Sequence, residues 1–142
     1  TQEMNDPIVE NALENWIDIE SYMSYQAFQI FVDNRDWPGN NIKFWRDHRV
    51  GGKWRWILYD TDFGFGIWDP GAYTFNTLSF ALTPNGPDWP NPPWSTLMLR
   101  TLMENDHFQN TFINVYFCYL TFNIKEFFIK PTESIRRDMR LS

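Results

Sequence analysis

Apolar residues recur at helical spacing in the first quarter of the chain. The stripe consists of Ile19, Met23, Ala27, Ile30 and Phe31. A spacing of three or four residues is typical of one face of an α-helix. Asp18 is placed as the N-cap, and Ser21 follows three residues later. The pattern predicts a helix from about Asp18 to Val32, and apolar residues on its neighbouring faces indicate that it is covered on most sides.

The pattern changes after residue 41, where aromatic and β-branched residues form two short runs. Ile42–Asp47 and Lys53–Asp60 are predicted to be strands, because these residue types favour extended backbone. His48–Gly52 joins the two runs, and Gly51 with Gly52 can adopt the positive φ values that a tight connection needs. The sequence therefore predicts a β-hairpin.

A long irregular tract separates this hairpin from the next helical pattern. Its prolines are Pro84, Pro87, Pro90, Pro92 and Pro93. Unstructured connections of about 20 residues are uncommon in a compact domain unless they carry a function, such as that of a binding loop or lid. Ser95 is expected to cap a helix over Thr96–Glu104, and Asn105-Asp106 to begin another over His107–Phe122. A last helix is predicted to start near Thr132.

These elements predict a single domain over residues 1–142, with an α+β fold that is mainly helical. Residues are 43% hydrophobic and 19% aromatic, which excludes a disordered chain. The net charge of −6 opposes an anionic partner, so no nucleic acid is expected to bind. The longest uncharged stretches contain Asn and Thr, so we expect no transmembrane helix. Cys118 lies among aromatic residues and is expected to be a buried structural thiol.

The acidic residues near the hairpin carry the first chemical inference. Asp36 lies in the loop before the hairpin, and Asp60 and Asp62 follow its second strand. Because a hairpin returns close to its starting point, these carboxylates and the Asn41 amide can converge at one end of the sheet. Such oxygen ligands suit a hard cation such as Mg²⁺.

The order of the residues sharpens this hypothesis. Arg35 to Asn41 fits R-D-x-x-x-x-N, the body of the protein-kinase catalytic loop, and Asp62-Phe63-Gly64 is D-F-G. Asn34 takes the position of the kinase loop histidine. From spacing alone, an Asx-type turn with Pro38-Gly39 at its corner explains Asp36 with Asn41 better than a catalytic site does. A polar strand end or a Ca²⁺ loop is the corresponding alternative for Asp60 and Asp62.

The sequence resembles the family of spore-coat protein H kinases, usually called CotH kinases. The segments that carry the resemblance are Asn34–Asn41, Trp54–Gly66, and Leu99–Asn105 with Phe108 and Phe112. The resemblance extends from about Asp18 to Asn123. It implies a divergent protein kinase with a kinase C-lobe-like arrangement, in which the hairpin lies between the catalytic loop and the D-F-G motif.

The same resemblance implies roles for individual residues. Asp36 corresponds to the catalytic aspartate, Asn41 and Asp62 would bind the cofactor through metal, and Asp60 would support the metal site. The implied cofactors are ATP with Mg²⁺ or Mn²⁺, and the implied substrate is a protein with a Ser or Thr acceptor. Family habit points to the cell surface or the spore exterior.

Two features of the sequence depart from a complete kinase. Gly64-Phe65-Gly66 is followed by no third glycine, so it is not a phosphate-covering loop. None of the lysines Lys43, Lys53, Lys125 and Lys130 precedes the catalytic loop. We therefore expect the chain to be the C-terminal, catalytic portion of a larger protein and to be inactive by itself, since phosphoryl transfer depends on positioning by several parts.

Two other function classes remain open at this stage. The missing lysine and glycine loop also fit a non-catalytic surface or assembly module that keeps the fold. Trp45, Trp54 and Trp56 fit a carbohydrate-binding platform, although packing of a half-buried hairpin explains them more simply.

Overall fold

A computed structural model describes residues 6–84 and 89–121. Helices and a two-stranded antiparallel sheet make up this part of the chain, so the α+β class predicted from the sequence is confirmed. The helices are α1 (Pro7–Trp16), α2 (Ile19–Phe31), α3 (Thr77–Leu82), α4 (Leu97–Leu102) and α5 (residues 106–121), with a 3₁₀ turn over Ala72–Thr74. The strands are β1 (Lys43–Arg46) and β2 (Trp54–Ile57).

Helix α2 is the centre of the core, and it begins as predicted. The Asp18 carboxylate accepts a hydrogen bond from the Ser21 amide at 3.0 Å, which satisfies one free N–H group of the first turn. The buried positions of α2 are Tyr22, Met23, Tyr25, Gln26, Ala27, Gln29 and Ile30. The helix is therefore covered on most sides, but two of its buried side chains are polar.

Two helices lie where the apolar pattern predicts none. Helix α1 precedes α2, and its sequence signal is Pro7 at the first helical position, where a missing N–H costs nothing. Helix α3 interrupts the tract predicted to be irregular, and the Asn76 side chain caps it by accepting from the Ser79 amide at 2.9 Å. With only six residues, α3 is too short for a periodic pattern to reveal it.

The predicted cap of α4 is wrong by one residue. Thr96 holds the N-cap position, and its side chain makes no capping hydrogen bond. The Ser95 hydroxyl instead lies 2.9 Å from the Asn91 side-chain oxygen and 2.7 Å from the Pro92 carbonyl. The hydroxyl thus stabilises the proline-rich segment before the helix.

Helix α5 begins as predicted and completes the core. The Asn105 side chain accepts from the Phe108 amide at 2.7 Å, and Phe108 and Phe112 are buried. Cys118 is exposed, so the expectation of a buried thiol is wrong, because Cys118 lies on the side of α5 away from these two rings. The end of α5 near Phe122 and the helix predicted near Thr132 lie outside the described residues. No helix in the described ranges has the length and apolar character to cross a bilayer.

The hairpin is present, with strands slightly shorter than predicted. Lys43 pairs with Ile57, and Gly51 at the turn has a φ of +81°. The hairpin packs on α2, because the rings of Trp56 and Tyr22 meet edge-on with centroids 4.7 Å apart. The fold therefore holds both ends of the hairpin next to the loop that follows α2.

Candidate active site

The loop that carries Asp36 is tied to α2 by a buried pair of amides. Asn34 is only 1% exposed, and its side-chain Nδ2 donates to the Gln29 Oε1 at 2.8 Å. The Asn34 Oδ1 accepts from the backbone N–H of Asp36 at 3.0 Å. Because both partners are buried, loss of either would leave an unsatisfied polar group. Asn34, in the position of the kinase histidine, thus fixes the backbone of Asp36.

The middle of the same loop has two further attachments. Trp37 is buried, and its indole N–H donates to the Gln26 side chain at 3.1 Å. The Gly39 amide donates to the Pro90 carbonyl at 2.6 Å. A Cβ at Gly39 would overlap this carbonyl and the Pro92 ring, so the close approach requires glycine. The proline-rich tract therefore supports the loop from the side opposite α2.

Asp36 and Asn41 are in direct contact. The Asn41 Nδ2 donates to the Asp36 Oδ2 at 2.9 Å, and the Asn40 amide donates to the Asp36 carbonyl at 3.2 Å. This arrangement uses the N–H of the Asn41 amide and leaves its carbonyl oxygen for another partner. The contact explains why the motif has an aspartate and, five positions later, an asparagine.

Backbone hydrogen bonds bring the two motifs together. The Arg35 amide, next to Asp36, donates to the carbonyl of Phe63, next to Asp62, at 3.2 Å. The Phe65 amide donates to the Val32 carbonyl, which adds a second link between the two segments. The predicted convergence of the loop and the hairpin end is therefore present.

The Arg35 side chain fixes the segment that follows the D-F-G motif. Its guanidinium lies 3.2 Å from the carboxylates of both Asp33 and Asp69. It also lies 3.5 Å from the centroid of the Phe75 ring. An arginine that contacts two carboxylates and an aromatic face is held in one position. Arg35 therefore acts as a structural clamp between the loop that carries Asp36 and residues 69–75.

Strained backbone is concentrated around these motifs. Within the described ranges, the non-glycine residues with positive φ are Asp33, Asn41, Asp60 and Phe65, with φ between 50° and 56°. Left-handed backbone is unfavourable for residues with a Cβ and tends to occur at functional sites. All four residues lie at the ends of the loop that carries Asp36 or beside the D-F-G motif.

Asp60 and Asp62 form an interacting carboxyl pair at the exit of the hairpin. A hydrogen bond with the Asp62 side chain, followed by desolvation and the charges of Asp62 and Asp36, raises the pKa of the Asp60 carboxyl. The Lys43 ammonium partly offsets this increase in the pKa. The influence of Asp36 on Asp60 indicates that the carboxylates of both motifs share one electrostatic environment.

The donor set suits a hard cation. Three carboxylates and the amide oxygen of Asn41 offer oxygen ligands, and the repulsion at Asp60 would be relieved by a positive ion. Across residues 6–84 and 89–121, no three His, Cys, Asp or Glu side chains have the spacing of a metal centre. Mg²⁺ commonly takes only one or two protein carboxylates and fills its other positions with water and phosphate oxygens. The chemistry of the site therefore fits Mg²⁺ better than a cation that requires a closed protein cage.

Three functional features of this site are absent from the sequence-based prediction. Gln26 and Gln29, three positions apart on α2, are buried and hold the loop, whereas the helical pattern was read only from apolar positions. Arg35 clamps two segments, and Lys43 acts on Asp60. In the sequence, the signal for the buried glutamines was their spacing of three residues among aromatic residues.

The three tryptophans of the hairpin do not form one platform. Trp45 pairs with Arg55, whereas Trp54 and Trp56 belong to the neighbouring pairs of the register. Since successive strand residues point to opposite faces, Trp45 lies on the face opposite the other two rings. This geometry favours packing over a single three-ring sugar-binding surface.

Comparisons with known proteins agree with the motifs. A family model described as CotH kinase protein matches residues 2–132. No curated protein and no solved structure matches the chain significantly, so the likeness to a kinase C-lobe stays a prediction. Since the family model covers most of the chain and includes both motifs, the chain belongs to the CotH kinase protein family.

Proposed function

We propose that this chain carries the catalytic residues of a protein Ser/Thr kinase that transfers phosphate from ATP with Mg²⁺ or Mn²⁺. The observation that carries the proposal is the contact between the two ordered motifs. The Arg35 amide donates to the Phe63 carbonyl at 3.2 Å, which joins the segment of Asp36 to that of Asp62, and Asp36 is bound to Asn41 at 2.9 Å. Membership of the CotH kinase family supports the same reaction class.

In this proposal Asp36 accepts the proton of the acceptor hydroxyl. The Asn41 amide holds the Asp36 Oδ2, which leaves the Oδ1 to face the Ser or Thr side chain of the substrate. The buried amide of Asn34 keeps the Asp36 backbone from moving as the hydroxyl approaches. A carboxylate held in this way orients the nucleophile towards the phosphorus atom.

Asn41, Asp60 and Asp62 would hold the divalent cation. A bound Mg²⁺ supplies charge neutralisation at the phosphate oxygens. The Asp60–Asp62 pair contributes negative charge that is only partly offset by Lys43. In this arrangement Asn41 serves both halves of the site, since its N–H donates to Asp36 and its oxygen is available to the cation.

Efficient transfer is expected to need further nucleotide-binding elements. Phosphoryl transfer is catalysed mainly by positioning and charge stabilisation, to which a phosphate-covering loop contributes. We therefore expect residues 1–142 alone to transfer phosphate poorly compared with a longer protein that includes those elements.

The test is transfer of labelled γ-phosphate from ATP to casein in the presence of Mg²⁺. It uses the longer protein, its Asp62→Ala variant, and an Asp47→Ala control, since Asp47 is a hairpin aspartate that pairs with Arg49 away from the site. We expect the control to retain transfer and Asp62→Ala to lose it. Equal transfer by the unsubstituted protein and Asp62→Ala would refute the assignment of Asp62.

Calorimetry with Mg-ATP separates the kinase from a non-catalytic module. We expect heat of binding from the longer protein at micromolar to millimolar nucleotide. No heat up to millimolar Mg-ATP, in a protein that is folded by circular dichroism, would favour a surface or assembly module that keeps only the fold.

A further inference from the structure

Lys43 is a hairpin cation that lies beside the proposed cation site. Its ammonium lies 3.8 Å from the centroid of the Tyr59 ring, and Tyr59 directly precedes Asp60. Its positive charge also acts on the Asp60 carboxylate. Lys43 follows Asn41 by two residues, so the chain places it beside both motifs.

The register explains how Lys43 reaches this position. Lys43 pairs with Ile57 across the hairpin, and Tyr59 lies two residues after Ile57 along the chain. Residues two apart in extended chain share a face, so Lys43 and Tyr59 come together as diagonal neighbours. A lysine stacked on an aromatic face retains its N–H donors for other acceptors. The tyrosine thus positions the ammonium without consuming its donors.

Arg35, the other cation next to the site, is already paired with carboxylates of the protein. Its guanidinium is held by Asp33, Asp69 and the Phe75 ring. Among the residues the structure describes, no carboxylate lies within ion-pairing distance of Lys43. The two cations therefore differ: Arg35 already has two carboxylate partners, whereas Lys43 has none in the described part of the chain to give up when an anion approaches.

The charge of the site makes such a cation necessary for a nucleotide. The chain has a net charge of −6, and the acidic residues Asp36, Asp60 and Asp62 lie in or beside the two motifs of the site. A nucleoside triphosphate carries several negative charges, which one divalent cation neutralises only in part. We propose that Lys43 binds the phosphate chain of the nucleotide, in place of the lysine that other kinases supply from a strand ahead of the catalytic loop.

This role rests on the proposed function and specifies its nucleotide contact. It assigns Lys43 to the phosphates rather than to the base or the acceptor protein. The loss of the ammonium should therefore weaken ligands in proportion to their phosphate content. A purely structural role of Lys43 would affect adenosine and ATP equally.

The test compares Lys43→Met with Lys53→Met by calorimetry on the full chain with Mg-ATP, Mg-tripolyphosphate and adenosine. Both lysines are exposed hairpin residues, and Lys53 lies near the turn, away from the site. We expect Lys43→Met to weaken Mg-ATP and Mg-tripolyphosphate by about tenfold or more, because a charge-assisted contact is lost. Lys43→Arg should restore most of this affinity, and adenosine should be unaffected.

The outcomes separate the two proposals. Binding of Mg-ATP by the unsubstituted chain, with equal affinities for Lys43→Met and Lys53→Met, would overturn the role of Lys43 and leave the kinase proposal intact. Equal weakening of adenosine and ATP would also overturn it. If neither the unsubstituted chain nor the longer protein binds Mg-ATP, the proposed function fails, and the role of Lys43 fails with it.

Discussion

The two halves of the candidate site are stabilised in opposite ways. The Asp36 half is held by hydrogen bonds to the neutral side-chain amides of the buried Asn34 and of Asn41. The Asp60–Asp62 half is exposed, and the hydrogen bond and the repulsion between its two carboxyl groups raise the pKa of Asp60. Hydrogen bonds to neutral amides position a group at little expense, whereas adjacent carboxylates store repulsion that a cation can release. The contrast suits one half that positions a nucleophile and another that awaits a positive ligand.

The largest expected effect distinguishes the two halves by activity. In the longer protein, Asp36→Asn should lower the rate of phosphate transfer by about 10²–10⁴-fold, because a general base is lost. Binding of Mg-ATP should persist in Asp36→Asn and weaken in Asp62→Ala. Transfer rates and calorimetry on the same preparations check this split. Loss of nucleotide binding in both variants alike would remove the proposed division of roles.

The second effect concerns the stability of the Asp36 half. Asn34→Leu removes a buried amide with two hydrogen bonds and leaves Gln29 without its partner. We expect the free energy of unfolding to fall by about 1–3 kcal/mol, as measured by urea titration. The control is Asn40→Ala in the same loop, where an exposed side chain should change stability by less than about 0.5 kcal/mol. Equal effects of the two substitutions would contradict the buried attachment.

A smaller effect tests the repulsion in the other half. Without Mg²⁺ at neutral pH, Asp60→Asn should raise the melting temperature slightly, because one of two adjacent negative charges is removed. Asp47→Asn should instead lower the melting temperature, since a hydrogen bond from the Arg49 side chain stabilises the charged form of Asp47 and lowers its pKa. With Mg²⁺ present, Asp60→Asn should no longer raise the melting temperature. Melting curves of the two variants decide the matter, and a shared sign would be inconsistent with a repulsive carboxyl pair.

The smallest effect is the dependence of stability on pH. The pKa of Asp60 is raised in the folded state above its ordinary value of 3.8, so the folded state binds the proton more tightly than the unfolded chain. The contribution of Asp60 to stability is therefore complete below that value and is lost as pH rises through the raised pKa. Asp60→Asn or added Mg²⁺ should reduce this trend. Thermal melting across the acidic range measures it, and an unchanged pH profile in Asp60→Asn would argue against the shifted pKa.

Much of the fold could be predicted from local chemistry. The cap of α2 depends on Asp18 and Ser21, which are three residues apart, and the hairpin depends on a glycine turn between aromatic runs. Such features need only neighbouring residues, so the sequence contains them. Helix α3 was missed because six residues carry no clear periodicity, and Cys118 was misplaced because the aromatic residues around it lie on different sides of α5.

The sequence alone determined which residues are candidates for the chemistry and in what order they occur. Asp36, Asn41, Asp60 and Asp62 were identified from motif spacing, and the family match is a property of the sequence. Their surroundings depended on tertiary structure. The attachment of Asn34 to Gln29, the commitment of Arg35 to Asp69, and the stacking of Lys43 on Tyr59 join residues of different elements. Spacing along the chain records the order of groups, whereas burial and distance arise only when separate segments pack against one another.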